Sequence, residues 1–130
     1  MYQIEYYTEK GKSPILEFIK QQIPRDQAKI LREIDLLQEF GLFLGQPHIK
    51  KMQGTDNLWE LRIKQSSNNF RILYFCYTGG TFVLLHGFRK TTNKTPSKDI
   101  ELAVKRMKNY MEGSETSETQ RGKRTPVKIT

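Results

Sequence analysis

Glu60, Arg62, Arg71, His86 and Lys90 are the side chains of this sequence best suited to chemistry on a phosphodiester. An RNA strand can be cut without a metal or any other cofactor if its 2′-hydroxyl attacks the neighbouring phosphate. One group must take the hydroxyl proton, another must protonate the leaving oxygen, and cations must hold the extra charge of the transition state. His86 or Glu60 could trade the proton, and the two arginines and Lys90 could hold the charge. Lys50, Lys51, Lys64, Arg89 and Lys94 extend the supply of cations for phosphates, and Phe88 offers a ring on which an unpaired base could stack. Each residue also has a plainer reading. Arg62 and Lys64 could be solvated, and Glu60 could serve only to position an arginine. A histidine in an apolar strand is more often a hydrogen-bonded core residue. Arg71 is harder to set aside, because Phe70 and the run Ile72 to Phe75 around it are apolar.

These residues sit in three runs rich in β-branched and aromatic side chains: Leu58 to Lys64, Phe70 to Tyr77, and Phe82 to Lys90. Gln65 to Asn69 is a polar turn cluster, and Gly79-Gly80 is a hairpin signal because both positions tolerate positive φ. The expectation is a three-strand antiparallel meander. Alternation places Trp59, Leu61 and Ile63 on one face and Glu60, Arg62 and Lys64 on the other. It groups Arg71 with Leu73, Phe75 and Tyr77, and His86 and Phe88 with Phe82 and Leu84. If the Gly-Gly turn sets the register, Arg71 comes near Phe88 and the polar residues converge at one end of the sheet.

The flanking segments read as supports. Tyr2 to Tyr7 alternates as a strand, with Tyr2, Ile4 and Tyr6 on one face. Ser13-Pro14 opens a helix with a capping hydroxyl and a proline at the first helical position, burying Ile15, Phe18 and Ile19. Pro24 restarts the pattern, and Ile30, Ile34, Leu37 and Phe40, with Leu31 beside them, share one face of a second helix that stops at Gly41. Gly45 to His48 is a loop, and Ile49 to Met52 a short strand or extended arm. A last helix begins near Pro96 or Ser97, with Asp99 and Glu101 in its first turn and an apolar stripe of Ile100, Val104, Met107 and Met111. The expected fold is α+β: a small, mostly meander antiparallel sheet with an N-terminal helical hairpin and a C-terminal helix.

Composition narrows the class. The chain has 130 residues, 36% of them hydrophobic and 28% charged, which suits one domain with one modest core. Its formal net charge of +8 favours a polyanionic partner, nucleic acid or an acidic protein. Cys76 is the only cysteine, so no internal disulfide forms, and two histidines with one cysteine fit no zinc spacing. No apolar run approaches the ~18 residues of a membrane span and no signal peptide opens the chain, so a cytoplasmic protein is expected. Residues 1–112 read as the folded domain. Residues 113–130 have almost no apolar content and read as a disordered basic tail, native or added for expression.

Leu58-Trp59-Glu60-Leu61-Arg62, Asn69-Phe70-Arg71-Ile72-Leu73-Tyr74-Phe75 and Leu85-His86-Gly87-Phe88-Arg89-Lys90-Thr91-Thr92-Asn93-Lys94-Thr95-Pro96 occur in that order. Together they resemble the phage-derived Gp49-like, or HigB, group of the RelE/ParE toxin superfamily, over about residues 1 to 111. The resemblance implies a RelE-like α+β toxin of a type II toxin–antitoxin pair that cleaves mRNA on the translating ribosome. It also implies a HigA-like helix-turn-helix antitoxin as partner, in a complex expected to be a heterotetramer. By position, Arg71 corresponds to the arginine that holds the scissile phosphate in RelE-type toxins, Arg62 and Lys64 to their basic strand residues, and Arg89 or Lys90 to the later basic residue. Their C-terminal tyrosine has only Tyr110 as a counterpart, within the last helical stripe, and that role is not carried over. The superfamily leaves two alternatives: a ParE-like inhibitor of DNA gyrase that cleaves nothing, and a phage remnant that binds its antitoxin without activity.

Overall fold

The computed structural model describes the backbone of residues 1–121 and the side chains of residues 1–113. The elements follow as β1 (Gln3–Tyr6), α1 (Pro14–Lys20), α2 (Pro24–Phe40), a 3₁₀ turn over Gly41–Leu44, β2 (Ile49–Lys51), β3 (Leu58–Gln65), β4 (Asn68–Tyr77), β5 (Thr81–Arg89) and α3 (Ser97–Arg121). The expected α+β class holds. The meander β3-β4-β5 is the centre of a five-stranded sheet of order β1-β5-β4-β3-β2, in which β1 lies parallel to β5 and the other pairs are antiparallel. Both N-terminal helices begin as their sequences dictate. Ser13 Oγ accepts the Leu16 N–H at 3.2 Å, and Pro14 and Pro24 occupy first-turn positions.

Strand alternation gives the sheet two apolar faces. One packs Leu61, Ile63, Phe70, Ile72, Tyr74, Phe82 and Leu84 against Ile15 and Ile19 of α1 and Ile30, Ile34 and Leu37 of α2. The other packs Leu58, Leu73, Phe75, Val83 and Leu85 against Ala103 and Met107 of α3. Close approach of α1 is set by Gly87. A Cβ there would stand 2.6 Å from Phe18 Cδ2, so the strand needs glycine where the ring presses on it.

The third strand departs from simple alternation. Tyr77 pairs with Thr81 beside the Gly-Gly turn, and that register runs back as far as Tyr74 opposite Leu84. It then shifts, so that Leu73 faces His86. Leu85 is the extra residue of a β-bulge. Phe82 and Leu84 therefore face the N-terminal helices, whereas His86 and Phe88 face α3. The expectation that all four share a side is corrected. The bulge is also what brings Arg71 opposite Phe88, since the turn register carried through unbroken would set it opposite Gly87. The Leu85 carbonyl accepts Arg106 Nη1–H from α3 at 2.9 Å, so a helix side chain satisfies backbone at the irregular point.

Two helix stripes also shift. Phe40, read as part of the buried face of α2, is exposed, as is Leu31; the buried line of that helix runs through Asp26, Ile30, Glu33, Ile34 and Leu37. The contact line of α3 runs through Ala103, Met107 and half-buried Tyr110, leaving Met111 exposed. The backbone of α3 continues as helix past position 112 to Arg121, and the remainder of the expected tail, 122–130, lies outside the described residues.

Candidate nucleic-acid interface

The α3 face of the sheet is covered at one end by the helix and left open at the other. Two cross-strand rows define the open end. Arg62 on β3 stands directly opposite Arg71 on β4, and Arg71 opposite Phe88 on β5. In the adjacent row Lys50 on β2 stands opposite Glu60 on β3. Two arginines facing each other across a ladder repel. Glu60, only 1% exposed, is the counter-ion that holds them there. Its Oε1 lies 3.2 Å from Arg62 Nε and 3.7 Å from Arg71 Nε. Its Oε2 accepts the Thr95 hydroxyl at 2.6 Å, which ties the 90–96 loop over the carboxylate.

The carboxylate does not neutralise the site. Arg71 donates Nη1–H to the Phe70 carbonyl at 3.0 Å, and its buried Nε has no hydrogen-bond partner. Burial pulls the Arg71 guanidinium below its ordinary pKa, Glu60 opposes that, and Arg62 reinforces it. Lys90 joins the group by donating its backbone N–H to the Asn69 carbonyl at 2.8 Å. Its ammonium is held below the usual lysine value, first by burial and then by Arg71, with Arg62 and Lys50 adding to the effect and Glu60 opposing it. Lys50, Arg62, Arg71 and Lys90 thus share one buried carboxylate, an arrangement that favours a second anion. Beside it opens a hollow lined by Asn69, Arg71, Arg89, Lys90 and residues 91–93.

The other sequence-predicted residues are distributed around this centre. Phe88 is half-buried beside Arg71, with its ring stacked on that of His86 at 5.4 Å and 21°. His86 itself is not in the arginine group. Leu73 separates it from Glu60 across the sheet, about two strand spacings or ~10 Å. Its Nε2 lies 2.7 Å from Asp99 Oδ1 and its Nδ1 lies 3.4 Å from Arg106 Nη1. An arginine can only donate, so Nδ1 accepts and Nε2–H donates to Asp99, which describes a neutral ring. Burial lowers the His86 pKa, Asp99 opposes the shift and Arg106 adds to it. Arg89 donates to Asn68 Oδ1, and Asn68 Nδ2 donates to buried Asp26 Oδ2 at 3.1 Å, so α2 anchors one wall of the hollow. Lys64 is exposed on β3, and Lys94 is exposed in the 90–96 loop. Lys51 is exposed opposite Trp59, one residue out of phase with Lys50 and hence directed to the other face.

A family model for phage-derived, Gp49-like protein matches residues 7–108, more than half of the chain. The chain belongs to that family. Gp49-like proteins are a RelE/HigB-like toxin group, which fits a toxin of a toxin–antitoxin pair and implies an antitoxin partner. No curated protein matches the chain significantly. In this Gp49-like chain, the hydroxyl of Tyr110 donates to Glu5 Oε1, and its ring packs edge-on against Phe75 and Tyr77. Among the described residues no helix is long and apolar enough to cross a membrane.

Two residues of the basic end were not singled out from the sequence. Thr95 lies in the Thr91-to-Pro96 motif, and its hydroxyl is what completes the coordination of Glu60. His48 follows Gly45-Gln46-Pro47 and reads as loop. It lines a second hollow with Lys29, Glu33, Arg62, Lys64 and Arg71, on the opposite flank of the arginine pair from Lys90 and the 91–93 loop. No local pattern marks it, because its partner Glu33 is fifteen residues away on α2.

Proposed function

We propose that this Gp49-like protein is the mRNA-cleaving toxin of a type II toxin–antitoxin system, acting on message in the translating ribosome. The proposed toxin domain is residues 1–112. The observation that carries the reading is the Arg62–Arg71 pair, joined by Lys50 and Lys90 around a single buried carboxylate. In the proposed reaction Arg71 and Arg62 bind the scissile phosphate and stabilise the pentacoordinate transition state. The 2′-oxygen attacks phosphorus, the bond to the 5′-oxygen breaks, and the products are a 2′,3′-cyclic phosphate and a 5′-hydroxyl. The Lys90 ammonium, its proton loosened by burial and by Arg71, protonates the leaving oxygen. Glu60 holds the arginines in place, since both of its oxygens are engaged. Phe88 offers an edge for a base, with Arg89, Lys64 and Lys94 on flanking phosphates.

A HigA-like helix-turn-helix antitoxin, expected in a heterotetramer with the toxin, would inhibit by placing acidic or apolar side chains over the Arg62–Arg71–Lys90 surface. The test is expression of wild type and Arg71→Ala in cells, with message ends mapped and growth followed. Cleavage inside open reading frames and growth arrest by the wild type, both lost in Arg71→Ala, are the expected results. Intact message with the wild type would overturn the proposal, and lost DNA supercoiling with intact RNA would transfer it to a gyrase-inhibitor reading.

A further inference from the structure

We propose that His48, oriented by Glu33, is the residue that accepts the 2′-hydroxyl proton. The inference rests on the nuclease reading above and supplies the proton acceptor it lacks. Three placements carry it. First, His48 is joined to the arginine rows by the backbone: the Arg62 N–H donates to the His48 carbonyl at 2.7 Å, one step beyond the Ile49–Leu61 pair of β2 and β3. His48 is thus the backbone neighbour of Arg62 at the sheet edge, with its ring turned toward Glu33 of α2. Second, His48 shares a hollow with Arg62 and Arg71, the residues proposed to hold the phosphate. Third, the ring is oriented. Its Nδ1 lies 3.1 Å from Glu33 Oε1, while Glu33 Oε2 pairs with Lys29 Nζ at 3.2 Å.

Glu33 has a side chain only 4% exposed, whereas that of His48 is 40% exposed. A carboxylate accepts, so Nδ1 donates to it, and in the neutral ring Nε2 then presents the lone pair. That is the tautomer a proton acceptor requires, fixed by a buried carboxylate as in other acid–base pairs. His86 offers the contrast, with one nitrogen donating to Asp99 and the other within reach of Arg106. The proton balance closes without another reactant. His48 Nε2 takes the 2′-hydroxyl proton, the 2′-oxygen displaces the 5′-oxygen at phosphorus, and Lys90 delivers a proton to the 5′-oxygen. Solvent then returns His48 and Lys90 to their starting states.

The titratable and charged groups that line the hollow with His48 are Glu33 and Lys29 from α2, Arg62 and Lys64 from β3, and Arg71 from β4, and of these Glu33 contacts the ring. The experiment uses the full chain with programmed ribosomes and single-turnover cleavage of a defined message, comparing wild type, His48→Ala, Glu33→Gln and Arg71→Ala across pH. His48→Ala is expected to lower cleavage by about 100-fold or more, to leave RNA binding near wild type, and to lose the rise of rate with pH. Added imidazole should recover part of the His48→Ala activity and none of the Arg71→Ala activity, which a structural role for His48 would not produce. Glu33→Gln should retain cleavage with a shifted pH profile. Cleavage by His48→Ala at the wild-type rate would overturn the assignment and leave the nuclease reading standing, provided Arg71→Ala is inactive. Intact message with the wild type would remove both.

Discussion

Replacing Glu60 by glutamine tests the electrostatic logic of the site most directly. The substitution keeps the size of the side chain and an oxygen for Thr95 but removes the one charge shared by Arg62 and Arg71. Breaking a buried ion pair by neutralising one partner costs about 3–5 kcal/mol, because the remaining charge is left uncompensated. The lower end applies here. The Arg62 side chain is 29% exposed and can recover water, whereas that of Arg71 is 12% exposed and cannot recover much. A loss of about 3 kcal/mol in a chain of this size corresponds to a drop of about 10 °C in melting temperature. The same change should have the opposite sign on anion binding. With the internal carboxylate gone, a phosphate has no competitor for the two guanidiniums, so RNA should bind several-fold more tightly. Sulfate or phosphate should also restore stability to Glu60→Gln more than to wild type. Cleavage should nonetheless fall by about 100-fold, since arginines that are no longer aimed hold the substrate without aligning it. The assays are thermal melting with and without sulfate, RNA binding at fixed salt, and single-turnover cleavage. A variant that melts at the wild-type temperature, or that binds RNA more weakly, would refute the reasoning.

Three further outcomes follow from the packing. Gly87→Ala puts a methyl group against the Phe18 ring and should cost about 1–3 kcal/mol in denaturant unfolding, with Phe18→Leu in the same chain recovering part of the loss. Arg106→Met keeps the aliphatic stem but leaves the buried Leu85 carbonyl without its donor. It should cost about 1–3 kcal/mol, and hydrogen exchange should show loosening at the bulge; unchanged protection there would count against the helix as its support. Because burial and Arg106 hold His86 below its ordinary value of 6.5 against the pull of Asp99, the unfolded chain binds the proton more readily than the folded one. Stability should therefore fall as pH drops through and below 6.5, and His86→Gln should flatten that part of the curve in pH-dependent melting.

Much of the arrangement was legible before any coordinates. Period-two alternation in β3 had already placed Glu60, Arg62 and Lys64 on the face opposite Trp59, Leu61 and Ile63, because a strand has only two faces. A lone arginine inside the apolar run from Phe70 to Phe75 likewise marked Arg71, since such a charge needs a partner or a ligand. The capping serine and the two prolines fixed where the N-terminal helices begin. What the chain could not disclose is set by contacts between residues far apart along it. The bulge at Leu85 turns His86 and Phe88 toward α3, and its carbonyl partner is Arg106, twenty-one residues on. Glu60 reads as an ordinary polar strand residue until Arg71 and Thr95 close around it. His48 reads as loop until Glu33 of α2 reaches its ring. Local sequence determines which side chains share a face, because backbone geometry repeats at fixed spacing. Only tertiary packing decides which face is left open and which charges must share it, because the energy of a buried charge depends on neighbours that the spacing does not encode.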